Sequence, residues 1–330
     1  VWLLHPLNLT SVLYIVQRMT SLSALFTVCG LYFYVAGRQR QFAGSTGWPW
    51  IVTGMLLFGS LAFLSKENGA LLPLYMFCIE AVLFRFRARS GAIDRGISLF
   101  YFLVLIVPGT GLLLLLAVSP DTLLGGYNGR NFTMYERVLT EARVLVFYLK
   151  QMLAPSLSEL GLYHDDIPLS RGLLEPPSTL YALLAVTGLL APGLLLIRRL
   201  PLVSLGILWF FCGHIMESTI LPLEIAHEHR NYLADFGIIL GIGAALAHLP
   251  GHHLAPLIRA VTPGLFIILF AYVTWARAGQ WSDNVSHAVY EAMHHPESAR
   301  SVFAAGRIHA RLAIAGHEES RDKAFHYLQN

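Results

Sequence analysis

Long apolar runs separated by short polar connections constrain this 330-residue chain more than any other feature. A helix needs roughly 20 mostly apolar residues to cross a hydrocarbon core. Eight segments approach or reach that length: Thr10–Gly37, Trp48–Leu64, Gly69–Phe84, Ile97–Val118, Thr179–Ile197, Leu202–Leu221, Leu233–His248 and Leu257–Ala276. Short segments of strict apolar–polar alternation are missing, which argues against a membrane β-barrel. Charged residues form 13% of the chain and the mean hydropathy is +0.57, about half the charged share of a soluble domain. The expected class is therefore an all-α polytopic membrane protein with the lipid bilayer as its solvent.

Charge placement orients the spans. Arg38 and Arg40 follow the first run, Arg85, Arg87, Arg89 and Arg95 lie between the third and fourth, Arg198 and Arg199 between the fifth and sixth, and Arg259 opens the eighth. All fall on alternate connections, which the positive-inside bias makes cytoplasmic. The net charge of +3 is spread over these connections and offers no nucleic-acid-binding patch. Cys29, Cys78 and Cys212 lie inside apolar runs and read as small buried hydrophobes, with neither disulfide nor metal-ligand spacing.

Residues 1–278 are expected to form the membrane bundle, with an external loop over 119–178, and residues 279–330 a soluble helical tail. Within the loop, "MYERVLTEARVLVFYLKQMLAP" repeats apolar residues at helical spacing and stops at Pro155, which predicts an interfacial helix. The tail is charged and amphipathic, with small residues at Ala304, Ala305, Gly306, Ala310 and Ala313 that permit close helix packing. The chain opens in "VWLLHP", like the end of a preceding helix, and stops inside an amphipathic pattern, so a piece of a longer protein is expected.

Ionisable residues at a membrane boundary are costly and point to function by default. Arg18, Lys66 and Arg230 all fall on the predicted outer face. Delivered by three separate elements, they suit a lipid-linked phosphate or pyrophosphate. Gln17 stands beside Arg18, Glu67 beside Lys66, and Asn231 beside Arg230, where its amide can donate to a phosphate oxygen. Among acids, Glu217 follows His214 by three residues inside an apolar run, a spacing that puts both on one helix face. Glu224, Glu228 and His229 are candidates for acid–base work or for holding Arg230, and Asp165 lies in the external loop. No metal site is expected. His227, Glu228 and His229 lack the zinc-binding HExxH spacing, His252–His253 fall on the opposite side, and His294–His295 belong to the tail.

Four stretches in order carry a family resemblance: "HPLNLTSVLYIVQRMTSLSALF" (5–26), "LSKENGALLP" (64–73), "YLKQMLAPSLSELGLYHDD" (148–166) and "MESTILPLEIAHEHRNYLADFGI" (216–238). With the tail they resemble the transmembrane and tetratricopeptide-repeat containing (TMTC-type) proteins, relatives of the GT-C protein O-mannosyltransferases. The resemblance covers most of residues 5–310. It implies a GT-C-like bundle followed by the start of a tetratricopeptide-like tail. The implied activity is inverting sugar transfer from a polyprenyl-phosphate donor to an acceptor hydroxyl, with no cofactor implied and divalent-metal dependence open. The acceptor would be a protein or peptide, reached through the repeats, on the periplasmic side of a bacterial inner membrane. His5, Arg18, Lys66, Glu67, Glu217, Glu228, His229, Arg230 and Tyr232 occupy the family's motif positions. The family's catalytic acid stands in the first external loop, upstream of Val1, so these residues alone are expected to be inactive. The tail matches one repeat loosely, whereas solenoids need several. An O-antigen ligase or polymerase, and a non-catalytic membrane-anchored scaffold, are the competing readings.

Overall fold

A computed structural model describes residues 1–249 and 255–329. The described residues form helices and turns with no strand. Six helices are long and apolar enough to cross a membrane: α1 (Ile15–Phe42), α2 (Trp48–Ser65), α3 (Glu67–Phe84), α4 (Arg95–Val118), α6 (Ser178–Leu195) and α9 (Ala255–Gln280). Between α4 and α6 lies α5 (Met134–Leu153), the amphipathic helix expected in the loop. A reciprocal Thr133–Glu136 capping box starts it, satisfying orphan N–H groups at its first turn. Only 6% of the most apolar window of α4 is buried, leaving Leu103, Ile106, Leu113 and Val118 bare. A helix apolar all round and so little packed suits hydrocarbon rather than water.

Two expected spans are shorter than anticipated. Leu202–Leu221 and Leu233–His248 become α7 (Pro201–His214) and α8 (Ala234–Ala247), of 14 residues each. At 1.5 Å per residue each rises about 21 Å, against roughly 30 Å for a hydrocarbon core. The two pack through glycines. A Cβ on Gly206 would lie 2.3 Å from the Gly237 carbonyl oxygen, and one on Gly237 would lie 2.5 Å from that of Gly206. Residues 215–233, freed from helix, form an irregular loop between them.

Helix direction gathers two kinds of connection at opposite ends. At one end, Arg38 is fully buried. It pairs with Glu80 at 2.9 Å and Asp94 at 3.1 Å, and donates to the Arg87 carbonyl. Arg38 is thus a structural cation rather than a free one, because two acids from neighbouring elements enclose it. Its neighbours Arg85 and Phe86 take positive φ, 56° and 55°. At the other end lie the N-terminal turns, Lys66, the 119–178 segment, the 215–233 loop and the tail.

The tail consists of α10 (Asn284–His294), α11 (Ala299–Ile314) and α12 (Glu319–Gln329). Its small residues permit the expected closeness: Ala305 is fully buried, and a Cβ on Gly306 would meet Leu328 at 2.7 Å. The tail also docks on the 119–178 segment. Tyr290 donates to the Leu157 carbonyl at 3.0 Å, and Glu291 accepts from the Leu162 amide at 2.9 Å.

Candidate functional site

Lys66 separates α2 from α3, and Arg230 sits in a short helical turn, Glu228–Asn231, before α8. The fold brings both to one recess lined by Thr20, Ser23 and Thr27 of α1, Asn68, Tyr75 of α3, Gly213 of α7 and His229. Thr20 to Thr27 is seven residues of helix, so the recess runs about 10 Å down α1. Lys66 is 4% exposed. Its Nζ donates to Thr20 Oγ1 at 2.9 Å and Gln17 Oε1 at 3.3 Å, both neutral, and it forms no ion pair among the described residues. Burial depresses its pKa, an effect that Glu217 and Glu67 oppose and Arg230 reinforces. Glu67 itself is exposed.

Arg230 is neutralised where Lys66 is not. Its Nε lies 2.5 Å from Glu217 Oε2, and its Nη1 donates to the Glu224 and Ile225 carbonyls. Glu217 also accepts from Asn68 at 2.5 Å. With one carboxylate between two cations, the recess carries a spare positive charge whenever Lys66 is protonated. His229 adds none. Burial first, then Lys66, His227 and Arg230, hold its imidazole far below the ordinary range, so it is neutral.

Several sequence expectations need correction here. Arg18 does not line the recess; it is exposed and its Nε donates to the Val12 carbonyl at 3.0 Å. Only its neighbour Gln17 turns inward. His214 and Glu217 do not share a helix face, because α7 ends at His214. His214 instead joins the Phe210 carbonyl to the Asn231 side chain, at 2.9 and 3.2 Å. Asn231 also donates to the Glu228 carbonyl at 3.1 Å, so both ends of its amide serve the loop rather than a phosphate. Glu228 is 2% exposed and fully engaged, by the Gly161 amide at 2.8 Å and by Arg277. Burial raises its pKa, but Arg277 and His164 outweigh that and keep it below the ordinary value. It is a structural anion.

His5 lies beside the loop and Tyr232 within it. The His5 Nδ1 accepts from the Leu7 amide at 3.3 Å, which leaves Nε2 to donate to the Met152 carbonyl at 3.0 Å. Burial lowers its pKa to about 4, despite the opposing Met152 bond. Tyr232 packs edge-on against Trp2, with centroids 5.1 Å apart.

A second cavity, about 290 Å³, lies between the 119–178 segment, the 215–233 loop and the tail. Asp165, Glu224, His227, Arg130 and Arg300 line it. Glu224 pairs with Arg130 at 3.1 Å and approaches Arg300 at 3.7 Å. Burial would raise its pKa, but its own backbone amide and Arg130 bring it down to about 2. Asp165 accepts from Ser298 at 2.5 Å and from the Arg300 amide at 3.3 Å. The Glu224 and Ile225 carbonyls that hold Arg230 belong to residues of this cavity, so Arg230 stands between the two spaces.

Two functional-end residues escape a reading for spacing alone. Arg137 of α5 is fully buried and donates to the carbonyls of Glu217, Thr219, Leu223 and Glu224. It also pairs with Glu141 at 2.8 Å. Burial raises the Glu141 pKa to about 7, against the pull of Arg137 and Arg230. Their signal was an i,i+4 ion pair on the apolar face of an amphipathic helix.

The described residues also bring together three metal-ligating groups, where no site was expected. One ligand atom each from His164, Asp166 and His295 lies within 4.8 Å of the others. Spacing rules search near neighbours, and 129 positions separate Asp166 from His295. His252 and His253 lie outside the described residues. No protein-family model, curated protein or solved structure matches the chain.

Proposed function

We propose that this chain is a membrane glycosyltransferase with a GT-C-like bundle and a tetratricopeptide-like tail. In this reading it moves a sugar from a polyprenyl-phosphate donor to an acceptor hydroxyl, on the periplasmic side of a bacterial inner membrane. The observation that carries the reading is Lys66: a buried ammonium with neutral partners, in a recess that dips along a membrane-spanning helix. An unpaired buried cation is costly, and an anionic ligand arriving from the bilayer removes that cost.

The reaction breaks the bond between the sugar C1 and its phosphate oxygen, and the acceptor oxygen bonds to C1. The acceptor proton passes to a carboxylate, and negative charge grows on the departing lipid phosphate. Lys66 stabilises that charge where it develops, which is how a preorganised cation lowers a barrier, and Arg230 frames the same side. Glu217 serves Arg230 and Asn68 rather than the acceptor. The cavity lined by Asp165 and Glu224, bordered by the tail, is the acceptor's side. The recess is narrow, about 30 Å³, room for a water or two. Donor binding therefore draws Lys66 off Gln17 and Thr20.

The test is binding of a polyprenyl phosphate to the protein in lipid nanodiscs. Lys66→Ala should weaken binding by at least about tenfold, the loss of one charge-assisted contact of roughly 1.5 kcal/mol or more. Lys66→Arg should retain part of it. Equal binding by wild type and Lys66→Ala would eliminate the assignment.

A further inference from the structure

Outside the recess, the junction between the 119–178 segment and the tail carries a second kind of chemistry. His164 and His295 are 4% and 6% exposed, with rings packed edge to face at a centroid distance of 5.5 Å. The Nε2 of each is buried and has no hydrogen-bond partner. Leaving a buried polar atom unpartnered costs free energy, and such atoms in a folded protein call for an explanation. His295 Nδ1 meets Asp166 Oδ2 at 2.7 Å, a hydrogen bond that an ion taken by these two atoms would replace. Phe147 packs edge-on to His164 at 5.4 Å and fixes that ring.

We propose that His164, Asp166 and His295 bind one divalent transition-metal ion of the zinc type, which clasps the tail to the 119–178 segment. The donor set decides the class. Two imidazoles with one carboxylate suit a first-row transition metal such as zinc, iron(II) or nickel, whereas calcium and magnesium take oxygen ligands. Ligand atoms around a tetrahedral zinc stand about 3.3 Å apart, given Zn–N and Zn–O distances near 2.0–2.1 Å. The spread of 4.8 Å or less therefore closes by small side-chain rotations. Glu228 Oε1, 3.8 Å from His164 Nε2, is already engaged by the Gly161 amide and stays outside the ligand set.

Placement gives the ion its role. His164 and Asp166 belong to the 119–178 segment, and His295 stands just past the end of α10. The ion would join elements otherwise held by hydrogen bonds such as Tyr290 to Leu157 and Ser298 to Asp165. It does not depend on the sugar-transfer reading, and its test needs no donor.

The experiment strips the purified full chain, with any affinity tag removed, and titrates it with Co²⁺ alone. One equivalent should produce visible d–d absorption of a low-symmetry N/O site, and Zn²⁺ should displace it. His164→Ala and His295→Ala should each abolish the bands. Zn²⁺ at about 100 times its Kd should slow proteolysis at the tail junction roughly 100-fold in wild type, and leave His295→Gln unchanged. Absence of bands in wild type overturns the proposal. Equal binding by wild type and both alanine variants overturns it too, since the ion then sits elsewhere. If either alanine variant unfolds, the wild-type spectrum and the zinc-dependent protection decide alone.

Discussion

Arg277, in the last turn of α9, and Glu228, 49 positions earlier in the 215–233 loop, form an ion pair with both side chains about 2% exposed. Arg277 also donates to the Pro6 carbonyl at 2.8 Å. One guanidinium therefore fastens the loop, the N-terminal turns and the final span together. Removing one partner of such a pair leaves an uncompensated buried charge, which typically costs ~3–5 kcal/mol. Arg277→Met should lower the detergent-solubilised Tm sharply. Adding Glu228→Gln should restore part of it, and a double variant no better than the single would contradict the pairing.

Lys66 should behave in the opposite sense. Its ammonium is buried without a carboxylate partner, so Lys66→Met removes a desolvated charge. The variant should gain about 1 kcal/mol in stability while losing lipid-phosphate binding, the usual trade at a site built for a ligand. Chemical denaturation checks the first half. A destabilised Lys66→Met would mean that the ammonium holds the fold.

Glu141 should make stability depend on pH. Burial raises its carboxyl from 4.5 to about 7, so the folded state holds a proton that the unfolded state has released. Its contribution is complete below pH 4.5 and is lost as pH rises to about 7. Glu141→Gln should keep that contribution, so its Tm advantage over wild type should widen between those values and level off above. A constant difference would refute the shift.

Arg137 should govern the order of the 215–233 loop. Its guanidinium satisfies the carbonyls of Glu217, Thr219, Leu223 and Glu224, none of which is in a helix. Arg137→Met frees them together, and limited proteolysis within 217–224 should accelerate at least tenfold, as expected for losing buried charge-assisted bonds of ~1.5 kcal/mol or more. Arg137→Lys, lacking the planar fork, should rescue only part.

Gly206→Ala should cost about 1–3 kcal/mol, as expected when extra volume enters a packed contact. The new methyl would meet the Gly237 carbonyl oxygen at 2.3 Å, and backbone cannot rotate away as a side chain does. A neutral Tm change would mean that the two helices stand further apart.

These residues also show what a sequence of this kind discloses. The apolar runs and the interfacial helix were legible because helical periodicity and hydropathy are local properties. Lys66 and Arg230 were legible because a cation bordering an apolar run is conspicuous. Arg18 was misplaced because spacing along a helix gives its face but not the neighbour it meets. The shortness of α7 was hidden, since "FFCGHIMESTILPLE" is apolar past His214 and the arginine that draws out its carbonyls lies 80 positions away. The His164–Asp166–His295 cluster was hidden for the same reason: its parts meet only in three dimensions.

The shortness of α7 and α8 has a consequence for where chemistry takes place. In a bilayer, two rods about 9 Å shorter than the slab would leave a crater, with the 215–233 loop that joins them as its floor. Charged groups there would lie lower than the ends of longer neighbouring helices. On the sugar-transfer proposal, an isoprenoid carrier would then not need to lift its headgroup into water to be met.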